Sequence, residues 1–175
     1  SNGEYKLRFK QYHPHQIFIR YDHSSIDLHT RPGDSIVLNL DEKNPSNPVI
    51  EYTGDGKEKN QLVKEFKTRW NEVGESHHDK KIKNSTFQEY QLFINKETNR
   101  LSAELDQILK QNDDCCNFED WARNEIKYHK YYRLLRYNWL KPLLNKEDPF
   151  TSKPASFNMD FLQNATLNNP EALDA

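Results

Sequence analysis

The histidines are the side chains whose type and spacing come nearest to metal or acid–base chemistry. His13-x-His15 would set two imidazoles on one face of a strand, a geometry that metal sites use, and His77-His78 forms a second pair. Pro14 disturbs a regular strand between the first two, and no His-x3-His helical pair accompanies either. Both pairs are read as exposed loop histidines, and His129, set among tyrosines, as a packed or surface residue. Neighbouring carboxylates such as Asp113-Asp114 and Glu119-Asp120 suit helix starts, where the macrodipole favours negative charge. No serine sits in a Gly-x-Ser-x-Gly elbow, and the five glycines form no phosphate-binding loop. Cys115 and Cys116 are adjacent. Neighbouring Cα atoms lie about 3.8 Å apart, whereas an ordinary disulfide wants about 5.5 Å. No structural disulfide or Cys-x-x-Cys motif is expected, and no catalytic, cofactor-binding or metal-ligating residue is assigned. An enzyme built from His13, His15 and remote carboxylates stands as the enzyme-class alternative.

Aromatic residues are the unusual feature. Trp121, Tyr128, Tyr131, Tyr132, Tyr137 and Trp139 crowd one segment, interleaved with Arg123, Lys127, Arg133 and Arg136. Two readings fit. Trp121, Tyr128, Tyr132, Tyr137 and Trp139 form a stacking surface for a glycan, a peptide or a neighbouring domain. Alternatively the helix is buried on two sides, with its cations lying along ring faces.

The elements that would position these residues change character near residue 56. Before it, apolar residues alternate: Tyr5, Leu7 and Phe9, then Ile17 to Tyr21, then Ile26 and Leu28, then Ile36 to Leu40, then Val49 to Tyr52. Arg31-Pro32-Gly33-Asp34 has the chemistry of a type II turn. After residue 56 the period is helical. Leu62, Phe66, Trp70 and Val73 predict a helix over 58–73, stopped by Gly74. Residues 75–84 read as a charged loop. Thr86-x-x-Glu89 is a capping box opening a second helix with Phe87, Tyr90, Ile94, Leu101, Leu105 and Ile108 on its inner face, ending near Gln111. A third helix should begin near Asn117 and end just before Pro142. The expected class is α+β: a small antiparallel β-sheet of about five short strands, then a three-helix region. The domain reading is 1–56 β-rich, 57–147 helical, and 148–175 an extended tail or linker toward a missing C-terminal domain.

With 34% hydrophobic but 12% aromatic residues, a core built on rings is feasible. A formal charge of −2 argues against nucleic acid as partner, and no apolar run is long enough to insert into a membrane.

Four runs stand in order along the chain: Pro32-Gly33-Asp34-Ser35-Ile36-Val37-Leu38, then Ile50-Glu51-Tyr52-Thr53-Gly54 with Lys59-Asn60-Gln61-Leu62 and Phe66. The fullest is Phe118-Glu119-Asp120-Trp121-Ala122-Arg123-Asn124-Glu125-Ile126-Lys127-Tyr128 with Leu134 to Tyr137, and Asn168 to Leu173 follows. Together they resemble the N-terminal region that precedes the thioredoxin domain in TlpA-like thiol-disulfide oxidoreductases of Bacteroidetes. The resemblance implies a non-catalytic accessory domain in the periplasm or outer-membrane-anchored cell envelope. Its partner would be a C-terminal thioredoxin-like domain of the same parent chain, which it would position or whose substrate it would recognise. Cys115-Cys116 does not map onto that domain's Cys-x-x-Cys, so no catalytic residue carries over. The alternative is a free-standing envelope module that binds glycan or peptide through the aromatic third helix.

Overall fold

The computed structural model describes residues 6–21, 24–41, 49–70, 75–112 and 118–148. Within them the order is β1 (His15–Tyr21), β2 (Ser24–Thr30), β3 (Ile36–Asp41), β4 (Val49–Gly54), α1 (Lys57–Trp70), α2 (Glu75–Asn84), α3 (Phe87–Gln111) and α4 (Phe118–Leu144). The chain is α+β, as the change of period implies. The residues form two compact units, one ending at Gln61 and one beginning at Leu62, so α1 starts in the first and continues in the second.

The first unit holds two antiparallel hairpins, β1–β2 and β3–β4, instead of one five-stranded sheet. Register explains the alternation. Ile17 faces Leu28 and Ile19 faces Ile26, while Leu38 faces Tyr52 and Leu40 faces Ile50, so each hairpin has one apolar side. Residues 6–10 form no strand, and Leu7 and Phe9 are exposed. Alternation shows which face a segment would bury but does not supply an edge to pair with, and residues 6–10 take up none. Tyr5 lies outside the described residues. The turn at Arg31 to Asp34 forms as expected, with Gly33 at φ 92° and the Asp34 amide donating to the Arg31 carbonyl at 3.1 Å. Position 54 also requires glycine, because its φ is 88° and a Cβ there would run into the Ser35 carbonyl oxygen. The buried Asn60 side chain finishes the edge of β2. Its Oδ1 accepts from the His29 amide at 2.8 Å, and its Nδ2 donates to the His29 and Gly56 carbonyls, each at 2.9 Å. One amide thus satisfies the outward backbone groups of His29 as a further strand would.

The second unit is helical, with α3 as its spine. The capping box holds as expected: the Glu89 amide donates to Thr86 Oγ1 at 3.3 Å, and the Thr86 amide donates to Glu89 Oε2 at 2.8 Å. The C-terminal half of α3 meets α1 and the start of α4 in one cluster, with Leu62, Val63, Phe66, Leu101, Leu105, Ile108, Phe118 and Trp121 among its members. Phe66 is at its centre, edge-on to Trp70, Phe118 and Trp121 at 5.4, 6.3 and 6.2 Å. The N-terminal half meets α2 and the end of α4 in a second cluster of Ile82, Phe87, Tyr90, Ile94, Leu134 and Tyr137.

Two expectations are corrected here. Residues 75–84 are a helix and not a loop. With Ile82 the one large apolar side chain in that stretch, no apolar period announces it; among the described side chains, its other buried residue is His78. Pro142 lies inside α4 and does not end it. The helix stops two residues later, at Leu144; beyond it Lys146 adopts φ 61° while its amide donates to Leu143 O at 3.0 Å and the Glu147 amide to Pro142 O at 2.8 Å. The expected stop at Gly74, the start near Asn117, the adjacent cysteines and the tail from 149 lie outside the described residues.

Asn60→Ala should destabilise the hairpin unit by about 2–4 kcal/mol, since two buried backbone groups lose their partner. Far-UV circular dichroism in urea gives the loss. Hydrogen exchange at the His29 amide should accelerate in step; an unchanged rate would show that Asn60 does not finish this edge.

Candidate functional site

Helix α4 carries the five aromatic residues singled out from the sequence, and the structure divides them. Trp121 and Tyr137 are core residues. Tyr128 is half-buried. Tyr132 and Trp139 are exposed, at 54% and 50%. Trp121 and Trp139 stand eighteen residues apart, five full turns at about 3.6 residues each, and so share one side of the helix. Their different burial has a simple cause. Helix α1 runs beside the first half of α4, with Phe66 against Trp121 and Trp70 edge-on to His129 at 4.8 Å, and it ends at Trp70. Among the described residues, this side of the second half of α4 has no such cover.

The uncovered side bears Tyr132, Leu135, Trp139 and Leu143, all exposed, spaced three, four and four residues apart. Such spacing places them in one stripe. The opposite side of this half is held firmly. Tyr137 Oη donates to the Ser85 carbonyl at 2.8 Å. Lys141 Nζ donates to the carbonyls of Lys83 and Ser85 at 2.7 and 2.9 Å, a cation closing the C-terminal end of α2. Arg136 pairs with Asp79 at 2.9 Å. Two rings carry cations of their own helix, as in the burial reading: Arg133 over Tyr132 at 5.6 Å and Lys141 over Tyr137 at 5.8 Å; Lys67 of α1 lies over Trp121 at 5.8 Å.

A second group was missed in the sequence. Glu97 lies on the inner face of α3, its side chain 8% exposed, between His78 of α2 at 0% and His129 of α4 at 12%. His78 Nε2 is 3.3 Å from Glu97 Oε1, and His129 Nε2 is 3.8 Å from Glu97 Oε2. Both are charge-pairing distances; neither imidazole nitrogen is aligned for a hydrogen bond with the carboxylate. The surroundings are rings: Phe93 lies 5.5 Å from His78, and Trp70 caps His129. Burial pushes the Glu97 carboxyl up, and the two imidazoles outweigh it, leaving the group at about 2. A signal for Glu97 was present. The inner face of α3 reads 87, 90, 94, then 101, 105, 108, and Glu97 occupies the missing step.

The other sequence candidates stay apart. His13 and His77 are exposed, His129 is packed as expected, and the side chain of His15 lies outside the described set. Among the described residues, no group of three His, Cys, Asp or Glu side chains is disposed to hold a metal ion, and no helix is long and apolar enough to cross a membrane.

Because the Glu97 carboxyl is held below its ordinary value of about 4.3, it adds stability above that pH and loses it as the pH falls toward 2. The urea midpoint of the helical unit should therefore drop steeply between pH 4 and 2. Glu97→Gln should flatten this acid limb. Equal slopes in the two proteins would show that Glu97 does not carry the effect.

Comparison with protein-family models, with curated proteins and with solved structures finds no match.

Proposed function

We propose that this chain is a non-catalytic interaction module that docks an apolar partner surface through the outer side of α4. The observation that carries this reading is the stripe of Tyr132, Leu135, Trp139 and Leu143, exposed on a helix whose other side is fully engaged. Contiguous exposed apolar patches on globular proteins mark interaction sites. Tyr and Trp are also the residues most enriched at binding hot spots. The two leucines favour a peptide or protein surface over a glycan, because sugar rings stack on aromatic faces and gain little from aliphatic side chains.

The resemblance to pre-thioredoxin regions supports one form of this reading: an accessory domain of a cell-envelope thioredoxin-like protein, positioning the redox domain or recognising its substrate. The fullest of the resembling runs, residues 118–128, supplies Phe118, Trp121, Ala122 and Ile126 to the core. Its residue types therefore serve packing, and what the run supports is a common helix rather than a common site.

A displayed random-peptide library tests the reading. Peptides with apolar residues at helical spacing should be enriched, and Leu135→Ser with Trp139→Ser should weaken their binding at least about 30-fold while leaving the melting temperature nearly unchanged. Enrichment indifferent to the double substitution, or binding confined to a glycan array, would overturn it. In an insulin-reduction assay the chain alone should stay at background; turnover sensitive to substitution would contradict the non-catalytic role.

A further inference from the structure

We propose that the exposed stripe of α4 takes a segment of its own chain, Phe157 to Leu162, and that an outside partner must displace it. The inference rests on the reading of Tyr132, Leu135, Trp139 and Leu143 as a docking surface, and it names the first occupant of that surface.

Three observations point to this segment. One is the way the chain leaves α4. Lys146 takes a left-handed φ of 61°, its amide donates to Leu143 O at 3.0 Å, and the Glu147 amide donates to Pro142 O at 2.8 Å. These two bonds make a Schellman motif, which ends a helix and turns the chain aside. Pro142 follows Trp139 by three residues and adjoins Leu143, so Glu147 is bound back at the end of the stripe itself.

Reach is the next. From Asp148, the last of the described residues, nine residues lead to Phe157, which is up to about 30 Å of extended chain. The stripe from Leu143 back to Tyr132 covers eleven residues of helix, about 17 Å. Every member of the stripe is within range.

Pattern is the third. Phe157, Phe161, Leu162 and Ala165 follow one another at steps of four, one and three, the apolar face of a ligand that lays a helix into a groove. Between Asp148 and Phe157, Phe150 is the one large apolar residue; the rest are Pro, Ser, Thr, Lys and Ala, the composition of a spacer.

Concentration separates this occupant from the others. A short tether holds its segment at an effective concentration on the order of 1 mM. An intrinsic affinity of about 0.1 mM then covers the stripe for most of the time. A second copy or a foreign partner, present at micromolar levels, must bind far more tightly to compete.

A synthetic peptide of residues 155–167 tests this on the full chain. It should bind the triple variant Phe157→Ser, Phe161→Ser, Leu162→Ser, and bind the wild type at least about 10-fold more weakly, because the tethered segment competes. Adding Leu135→Ser and Trp139→Ser to the triple variant should abolish the binding. Equal affinity for wild type and triple variant, or binding to neither, would overturn the inference. In the wild type, NMR should show contacts between the Trp139 indole and the Phe161 ring that do not change with protein concentration. Their absence, or growth with concentration as for a second copy, would overturn it even if the triple variant failed to fold. A random-peptide library that yields binders while this peptide binds neither protein leaves the docking reading standing and sinks self-docking alone. An empty library with the peptide bound does the reverse.

Discussion

A carboxylate in the middle of an apolar helix face costs stability unless polar partners from the helices packed on it come to meet it. Glu97 imposes this constraint on the helical unit. It sits between the two apolar clusters, with Leu101, Leu105 and Ile108 on one side and Phe87, Tyr90 and Ile94 on the other. Each cluster ties α3 to a different short helix, α1 or α2. Glu97 lies where both meet α4, and its partners come from α2 and α4. An apolar residue there would pack with less desolvation cost, but it would not specify which side chains of α2 and α4 must face α3.

Rings and a few polar closures make up for the sparse aliphatic content. Phe66 alone is edge-on to three aromatic side chains. Tyr137 and Lys141 reach the last carbonyls of α2, groups that a helix of ten residues would otherwise leave to water. The exposed pairs, such as Arg123 with Glu119 and Asp106, add little by comparison, because solvent screens them. The same logic operates in the hairpin unit. There one buried amide, Asn60, stands in for a strand that is not paired at His29.

The lengths of the helices decide what is left exposed. Helix α4 has 27 residues and α1 has 14, so α1 shields Trp121 and leaves Trp139, on the same side, uncovered. A stripe with core-like spacing and surface exposure is the consequence.

Sequence alone determined the elements whose signals are local. The capping box at Thr86, the turn at Gly33, the alternation of the hairpins and the inner face of α3 follow from neighbours a few residues apart, and each appears where its residues require. What needed the tertiary structure were outcomes set by distant partners. Residues 6–10 alternate like a strand yet have no pairing partner. Residues 75–84 carry no apolar period yet form a helix, whose Ile82 packs into the second cluster and whose His78 lies 3.3 Å from Glu97. The aromatic residues of α4 read as one set along the chain, but burial depends on where α1 ends. Local patterns encode which face an element would bury; only the packed neighbours decide whether that face is covered.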